Sequence, residues 1–75
     1  MATLPALTST QVVRALHRAG FVDDRQRGSH LMLWHPETRA RTVVPVHRRK
    51  TIKKPLLRAI IQDARMTVED FLKFV

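Results

Sequence analysis

Four histidines are the side chains in this sequence best suited to moving protons near neutral pH. They are His17, His30, His35 and His47. His30 stands apart because it follows Gly28 and Ser29, and a glycine permits close approach of a ligand backbone. Arg25 and Arg27 precede it. These two guanidiniums could neutralise a phosphate while the imidazole transfers a proton.

Each histidine also has an interpretation that involves no proton transfer. His17 lies among basic residues of a predicted helix, which favours an exposed position. His35 precedes Pro36 at the end of a predicted strand, which favours capping of a turn. His47 opens a basic run and fits phosphate binding. A histidine on a strand is more often structural than catalytic, so the residues alone leave both roles of His30 open.

Other kinds of catalytic centre have little support. The chain has no cysteine, which excludes disulfides, zinc thiolates and cysteine nucleophiles. His30 and His35 would face opposite sides of a strand, and the nearest acids, Asp23 and Asp24, belong to the preceding strand. Neither a glycine-rich phosphate loop nor a Ser-x-x-Lys pattern occurs. We therefore expect no metal and no cofactor.

Positive charge is concentrated in one segment. The chain has 14 Lys and Arg against 6 Asp and Glu, a net charge of +8. A stretch without any acid carries Arg39, Arg41, Arg48, Arg49, Lys50, Lys53, Lys54 and Arg58. Such a local excess of positive charge indicates that the segment binds a polyanion or an acidic partner. The alternative is a solvated loop that only keeps the protein soluble.

Length and composition predict a small globular unit. With 75 residues and an apolar fraction of 44%, the chain fits one domain over 1–75 with a thin core. Residues 1–6 carry no pattern and are expected to form a loose tail. No apolar run approaches the roughly 18 residues of a membrane helix, and no signal peptide is recognisable. We expect a soluble, cytoplasmic protein with no membrane association.

Local signals predict three helices. Thr8 and Gln11 form a T-x-x-Q capping box at the start of the first helix, and Gly20 marks its end. Pro55 suits the first turn of a second helix, which has apolar residues at helical spacing. A short third helix is predicted to begin near Thr67.

Three strands are predicted between the first two helices, over 21–26, 29–35 and 41–46. Short connections favour an antiparallel meander. Both sets of alternating side chains on the middle strand are largely apolar. We favour the interpretation that helices or chain termini cover parts of both sheet faces. The alternative is a face that binds a protein partner or, at Trp34, stacks nucleic-acid bases.

Several short motifs occur in a characteristic order. They are Arg25-Gln26-Arg27-Gly28-Ser29-His30, His35-Pro36, Thr42-Val43-Val44-Pro45-Val46-His47, Ile52-Lys53-Lys54, Leu57-Arg58-x-Ile60 and Thr67-Val68-Glu69-Asp70-Phe71-Leu72. This ordered series resembles the HicA toxin family of toxin–antitoxin systems and covers nearly the whole chain from residue 8.

The resemblance implies an α+β fold similar to the double-stranded-RNA-binding domain, in the order α-β-β-β-α(-α), with helices on one face of a three-stranded antiparallel sheet. It also implies a metal-independent endoribonuclease that cuts messenger RNA and is neutralised by a HicB-like antitoxin. The family's active histidine corresponds to His30. The expected RNA-binding residues are Arg25, Arg27, Gly28, Ser29, His47, Arg48, Arg49, Lys50, Lys53 and Lys54. A non-catalytic RNA-binding module of the same fold and a protein that docks an acidic partner remain alternatives.

The sequence departs from the family pattern at two places. Pro55 stands where the family usually has a glycine after the Lys-Lys pair, and we expect a changed loop conformation with the fold retained. The family also tends to have a glycine near Ala64 or Arg65. Without it, the second helix is expected to end without an easy left-handed turn.

Overall fold

The structure is a computed structural model that describes residues 3–47 and 49–75. Its elements are α1 Ser9–Arg18, β1 Val22–Arg27, β2 His30–Trp34, β3 Arg41–Pro45, α2 Lys54–Asp63 and α3 Val68–Leu72. The predicted order is confirmed, and it is consistent with a double-stranded-RNA-binding-domain-like fold. Within the described residues, no helix has the length and apolar character needed to cross a membrane.

The sheet is an antiparallel meander in the order β1-β2-β3, as predicted. Gly28 and Ser29 form the tight turn between β1 and β2, which places Arg27 opposite His30. Gly28 has a φ of 55°, and the positive φ at the first loop position is typical of a type II′ turn. Pro45 lies on the edge strand β3, where the missing N–H group is tolerated.

One face of the sheet forms the core and the other stays accessible. Leu31 and Leu33 of β2 are buried with the apolar faces of the helices. On the opposite face, Val22 and Val43 are 42% and 40% exposed, and Trp34 is half-buried. The expectation that helices cover parts of both faces is therefore wrong, because the helices pack against the Leu31 and Leu33 side of the sheet.

The segment before α1 is anchored to the core. Leu4 and Leu7 are each only 3% exposed. The N–H of Ile52 donates to the carbonyl of Leu7 at 2.8 Å. The expectation of a loose tail over residues 1–6 is wrong at Leu4, because burying a leucine side chain contributes about 1.5–3 kcal/mol. Met1 and Ala2 lie outside the described residues.

Helix α1 begins and ends as predicted. The Thr8 hydroxyl accepts from the N–H of Gln11 at 3.3 Å, and the N–H of Thr8 donates to Gln11 Oε1 at 2.9 Å. Gly20 has a φ of 103°, and the N–H of Phe21 donates back to the carbonyl of Leu16 at 2.9 Å. These bonds satisfy terminal groups that the helix itself leaves without partners.

Helix α2 begins as predicted but ends differently. It begins at Lys54, so that Pro55 lies in its first turn. It ends in a left-handed turn, because Arg65 has a φ of 59° and the N–H of Met66 donates to the carbonyl of Ile61 at 3.2 Å. The expectation of an ending without such a turn is therefore wrong. The Arg65 side chain also donates to the carbonyl of Thr38 at 2.8 Å, which helps to offset a left-handed strain of about 1–2 kcal/mol.

Candidate functional site

His30 is the first residue of β2 and is exposed on the accessible face of the sheet. Its direct cross-strand neighbours are Arg27 on β1 and Pro45 on β3. Residues directly opposite each other on paired strands present their side chains to the same face. The structure therefore brings the predicted Arg27 and His30 together, and Arg25 follows beside Met32, further along the same face.

The basic loop, which we define as residues 47–53, starts beside the Gly28-Ser29 turn. The N–H of Val46 donates to the carbonyl of Ser29 at 2.6 Å. At its other end, the loop is held by the buried Ile52 and by an isolated antiparallel bridge between Thr51 and Thr8. The turn that presents His30 and the cationic segment thus meet at one end of the sheet. Arg48 belongs to this loop but lies outside the described residues.

Ser9 holds the start of the basic loop in place. Its side chain is buried, and its hydroxyl donates to the carbonyl of Pro45 at 2.6 Å. The same oxygen accepts from the N–H of His47 at 3.3 Å. A serine in the first turn of a helix is common, and sequence reasoning missed this role because both partners are more than 30 residues away.

Two grooves meet at this end of the molecule. The first, the loop groove, has a volume of about 250 Å³ and is lined by His47, Lys50 and Lys53. The second, the His30 groove, has a volume of about 300 Å³. Pro45 and Leu56 line both grooves, so they form a shared ridge. A chain crossing this ridge would contact the imidazole on one side and the lysines on the other.

The charges around the site are predominantly positive. Lys53 precedes α2 without a side-chain cap, and the first turn of α2 has no acid, so the positive end of the helix dipole adds to the lysines. Asp63 is an acid that lines the His30 groove. Arg49 is exposed in the loop and has a φ of 61°. Across residues 3–47 and 49–75, no cluster of three or more His, Cys, Asp and Glu is placed to hold a metal ion.

The structure places the remaining histidines away from this site. His35 Nε2 lies 3.2 Å from the carbonyl oxygen of Ala19, and its Nδ1 accepts from the N–H of Glu37 at 3.1 Å. This arrangement is the predicted turn cap, and it requires the proton on Nε2. His17 is exposed on α1, with Nε2 at 2.7 Å from the carboxylate of Asp23.

Comparison with known proteins identifies the family. A family model described as the HicA toxin of bacterial toxin–antitoxin systems matches residues 9–66, which include His30 and the basic loop. A search of curated proteins gave no match. The matched region extends from the first residue of α1 to just beyond the end of α2. A toxin of such a system has an antitoxin as its partner. The chain therefore belongs to the HicA toxin family of bacterial toxin–antitoxin systems.

Proposed function

We propose that this toxin is a metal-independent endoribonuclease that cuts messenger RNA and is neutralised by a HicB-type antitoxin. The observation that supports this best is the 2.6 Å hydrogen bond from the N–H of Val46 to the carbonyl of Ser29. It joins the turn that presents His30 to the start of the basic loop. The imidazole that we propose transfers a proton and the cations that we propose bind phosphates therefore lie at the same end of the sheet, as cleavage of a polyanion requires.

In the proposed reaction, His30 takes the proton from a ribose 2′-hydroxyl. The 2′-oxygen attacks the adjacent phosphorus, and the bond from phosphorus to the 5′-oxygen breaks. The leaving 5′-oxygen takes up a proton from solvent water, and protonated His30 gives its proton back to the solvent. The products carry a 2′,3′-cyclic phosphate and a 5′-hydroxyl. Arg27 is the direct cross-strand neighbour of His30 and would stabilise negative charge that develops on the phosphate.

The remaining cations would hold the RNA backbone. Lys50 and Lys53 line the loop groove together with His47, and Lys54 opens α2. The full proposed RNA-binding set is Arg25, Arg27, Gly28, Ser29, His47, Arg48, Arg49, Lys50, Lys53 and Lys54. Contacts of this kind neutralise phosphates and carry little sequence information, so we expect strongly salt-dependent binding.

The proposal is tested by incubating the purified protein with a long single-stranded RNA in EDTA. The expected result is cleavage into fragments with 2′,3′-cyclic phosphate ends, because the reaction uses a side chain and the 2′-hydroxyl. A parallel RNA with 2′-O-methyl groups throughout should stay intact, since it lacks the nucleophile. Intact RNA in both reactions, with a salt-sensitive mobility shift, would contradict the proposal.

The second candidate is a non-catalytic RNA-binding module. One observation favours it. Among the residues that the structure describes, the histidine rings that form hydrogen bonds are those of His17 and His35. The His30 ring has no such partner among them to fix its orientation for proton transfer. This candidate predicts binding without cleavage and no special role for His30. A third candidate, docking of an acidic protein on the basic loop, is excluded if short RNA competes for the loop and random acidic peptides do not.

Replacing Lys53 by alanine should weaken RNA binding without affecting the fold. Lys53 is exposed and its side chain makes no capping hydrogen bond to α2. Loss of one phosphate contact should reduce the slope of log affinity against log salt by about 0.7–1. Lys73→Ala, directly after α3, is the control, since Lys73 is exposed and its Nζ lies 3.5 Å from Oδ1 of Asp70. Equal changes of slope in the two variants would argue against a localised RNA contact at the loop.

A further inference from the structure

Trp34 lies on the same face of β2 as His30, at the other end of the strand. The two residues are four positions apart, which corresponds to about 13 Å along a strand. The Trp34 side chain is half-buried. The guanidinium carbons of Arg39 and Arg41 lie 5.7 Å and 5.5 Å from the centre of its ring. These distances are typical of cation–π contacts.

The charges on the sheet face that carries His30 and Trp34 favour binding of a polyanion over binding of a protein partner with mixed charges. Arg25 and Arg27 continue the positive charge from Trp34 toward His30. Asp24 accepts a hydrogen bond from Arg41 at 3.1 Å, so this acid is already paired. Asp63 lies at the margin of the face, in the groove between β3 and α2. The positive charges therefore outnumber the acids along the path between the two ends of β2.

We propose that Trp34, together with Arg39 and Arg41, stacks an unpaired base of the RNA strand that is cut at His30. Aromatic rings and guanidinium planes are the groups on which proteins stack single-stranded bases. The separation of about 13 Å is spanned by four nucleotides or fewer, because the spacing is about 3.4 Å per nucleotide in a stacked helix and larger in an extended strand, so one strand can reach both residues. The substrate class is consequently single-stranded RNA, since the bases of a duplex are already stacked. This inference rests on the proposed function, because it takes His30 as the cleavage point.

Intrinsic fluorescence offers a direct test. Trp34 is the only tryptophan and the chain has no tyrosine, so the emission reports on this one side chain. The unmodified protein is titrated with a 2′-O-methyl oligouridine of ten nucleotides, which it cannot cleave. We expect quenching that saturates together with binding measured by mobility shift. An abasic oligonucleotide of equal length should bind without comparable quenching. Binding of the oligouridine with unchanged emission would overturn the proposal.

A variant series gives a second measurement. Trp34→Leu should weaken binding of the oligouridine by about 5- to 150-fold, the usual range for loss of one base–aromatic stack. Trp34→Phe should retain most of the affinity because it keeps an aromatic face. Phe74→Leu on the far C-terminal segment is the matched control, since Phe74 is also half-buried, and it should bind normally. Unchanged affinity in a folded Trp34→Leu protein would overturn the proposal.

The cleavage assay separates this inference from the proposed function. On a long RNA substrate, Trp34→Leu should raise KM and change kcat little, because stacking of a base away from the reacting bond stabilises substrate and transition state alike. Cleavage that is indifferent to Trp34 would overturn the stacking platform alone. Binding with quenching but without cleavage would overturn the catalytic proposal and leave the platform intact.

Discussion

Replacing His30 by glutamine is expected to lower the rate of RNA cleavage by about 10²–10⁴-fold, the usual contribution of one acid–base group. RNA affinity should change little, because the phosphate contacts come from other residues. The fold should also survive, since the His30 side chain is exposed and its neighbours Arg27 and Pro45 pair with it through the backbone. The measurement is the rate constant for cleavage of an end-labelled RNA under single-turnover conditions. Binding of a 2′-O-methyl RNA is measured in parallel.

Two further histidine variants complete this experiment. His17→Gln is the matched control, because His17 is exposed on α1 and its contact is with Asp23 rather than with the basic loop. It should cut RNA at the normal rate. His47→Gln tests the other histidine at this end of the sheet, which lines the loop groove. Normal cleavage by His30→Gln would disprove the assignment, and a large loss in His47→Gln alone would transfer the acid–base role to His47.

Replacing Gly20 by alanine is expected to destabilise the protein by about 2–4 kcal/mol. This cost combines backbone strain with loss or distortion of the hydrogen bond between the His35 ring and the Ala19 carbonyl. Gly20 has a φ of 103°, and an added Cβ would lie 2.6 Å from Nε2 of His35. That ring cannot move freely, because it contacts the carbonyl of Ala19 and packs edge-on against Phe21 at 5.2 Å. For a domain of this size the loss corresponds to a fall in Tm of about 10–25 °C.

Gly28→Ala is the matched control for this prediction. An added Cβ at Gly28 would meet no atom within 4 Å, so the remaining cost is that of a φ of 55°, about 1–2 kcal/mol. Both variants are compared with the unmodified protein by urea and thermal denaturation. In a His35→Ala background the cost of Gly20→Ala should fall to that of the backbone alone. Equal destabilisation by the two alanines, with no rescue by His35→Ala, would show that the close approach to His35 is unimportant.

Most of the secondary structure follows from short-range signals. The Thr8–Gln11 capping box and Gly20 define α1, because each acts on hydrogen-bonding groups within one turn of the helix. Residues 21–26, 29–35 and 41–46 were predicted as strands, and the observed strands differ by at most one residue at each end. The antiparallel order follows from connections too short for a crossover.

The candidate site was only partly predictable. The Gly28-Ser29-His30 series and the charge of residues 47–53 are sequence features, and the resemblance to one family assigns a role to His30. Their proximity depends on the pairing of β2 with β3, which carries the Ser29 carbonyl to the N–H of Val46. Sequence spacing alone did not specify this contact or the grooves on either side of Pro45.

Composition, helix caps and alternation within strands are local properties, so the chain's sequence determines its helices, its strands and the concentration of positive charge. Contacts between distant segments depend on how those elements pack. Packing buries Leu4, joins Ser9 to Pro45 across 36 positions and leaves the Trp34 face of the sheet accessible. It also holds Arg65 in a left-handed turn, through hydrogen bonds that local preference does not predict. These features required the tertiary structure, because long-range burial and hydrogen bonding outweigh the small free energies of local propensity.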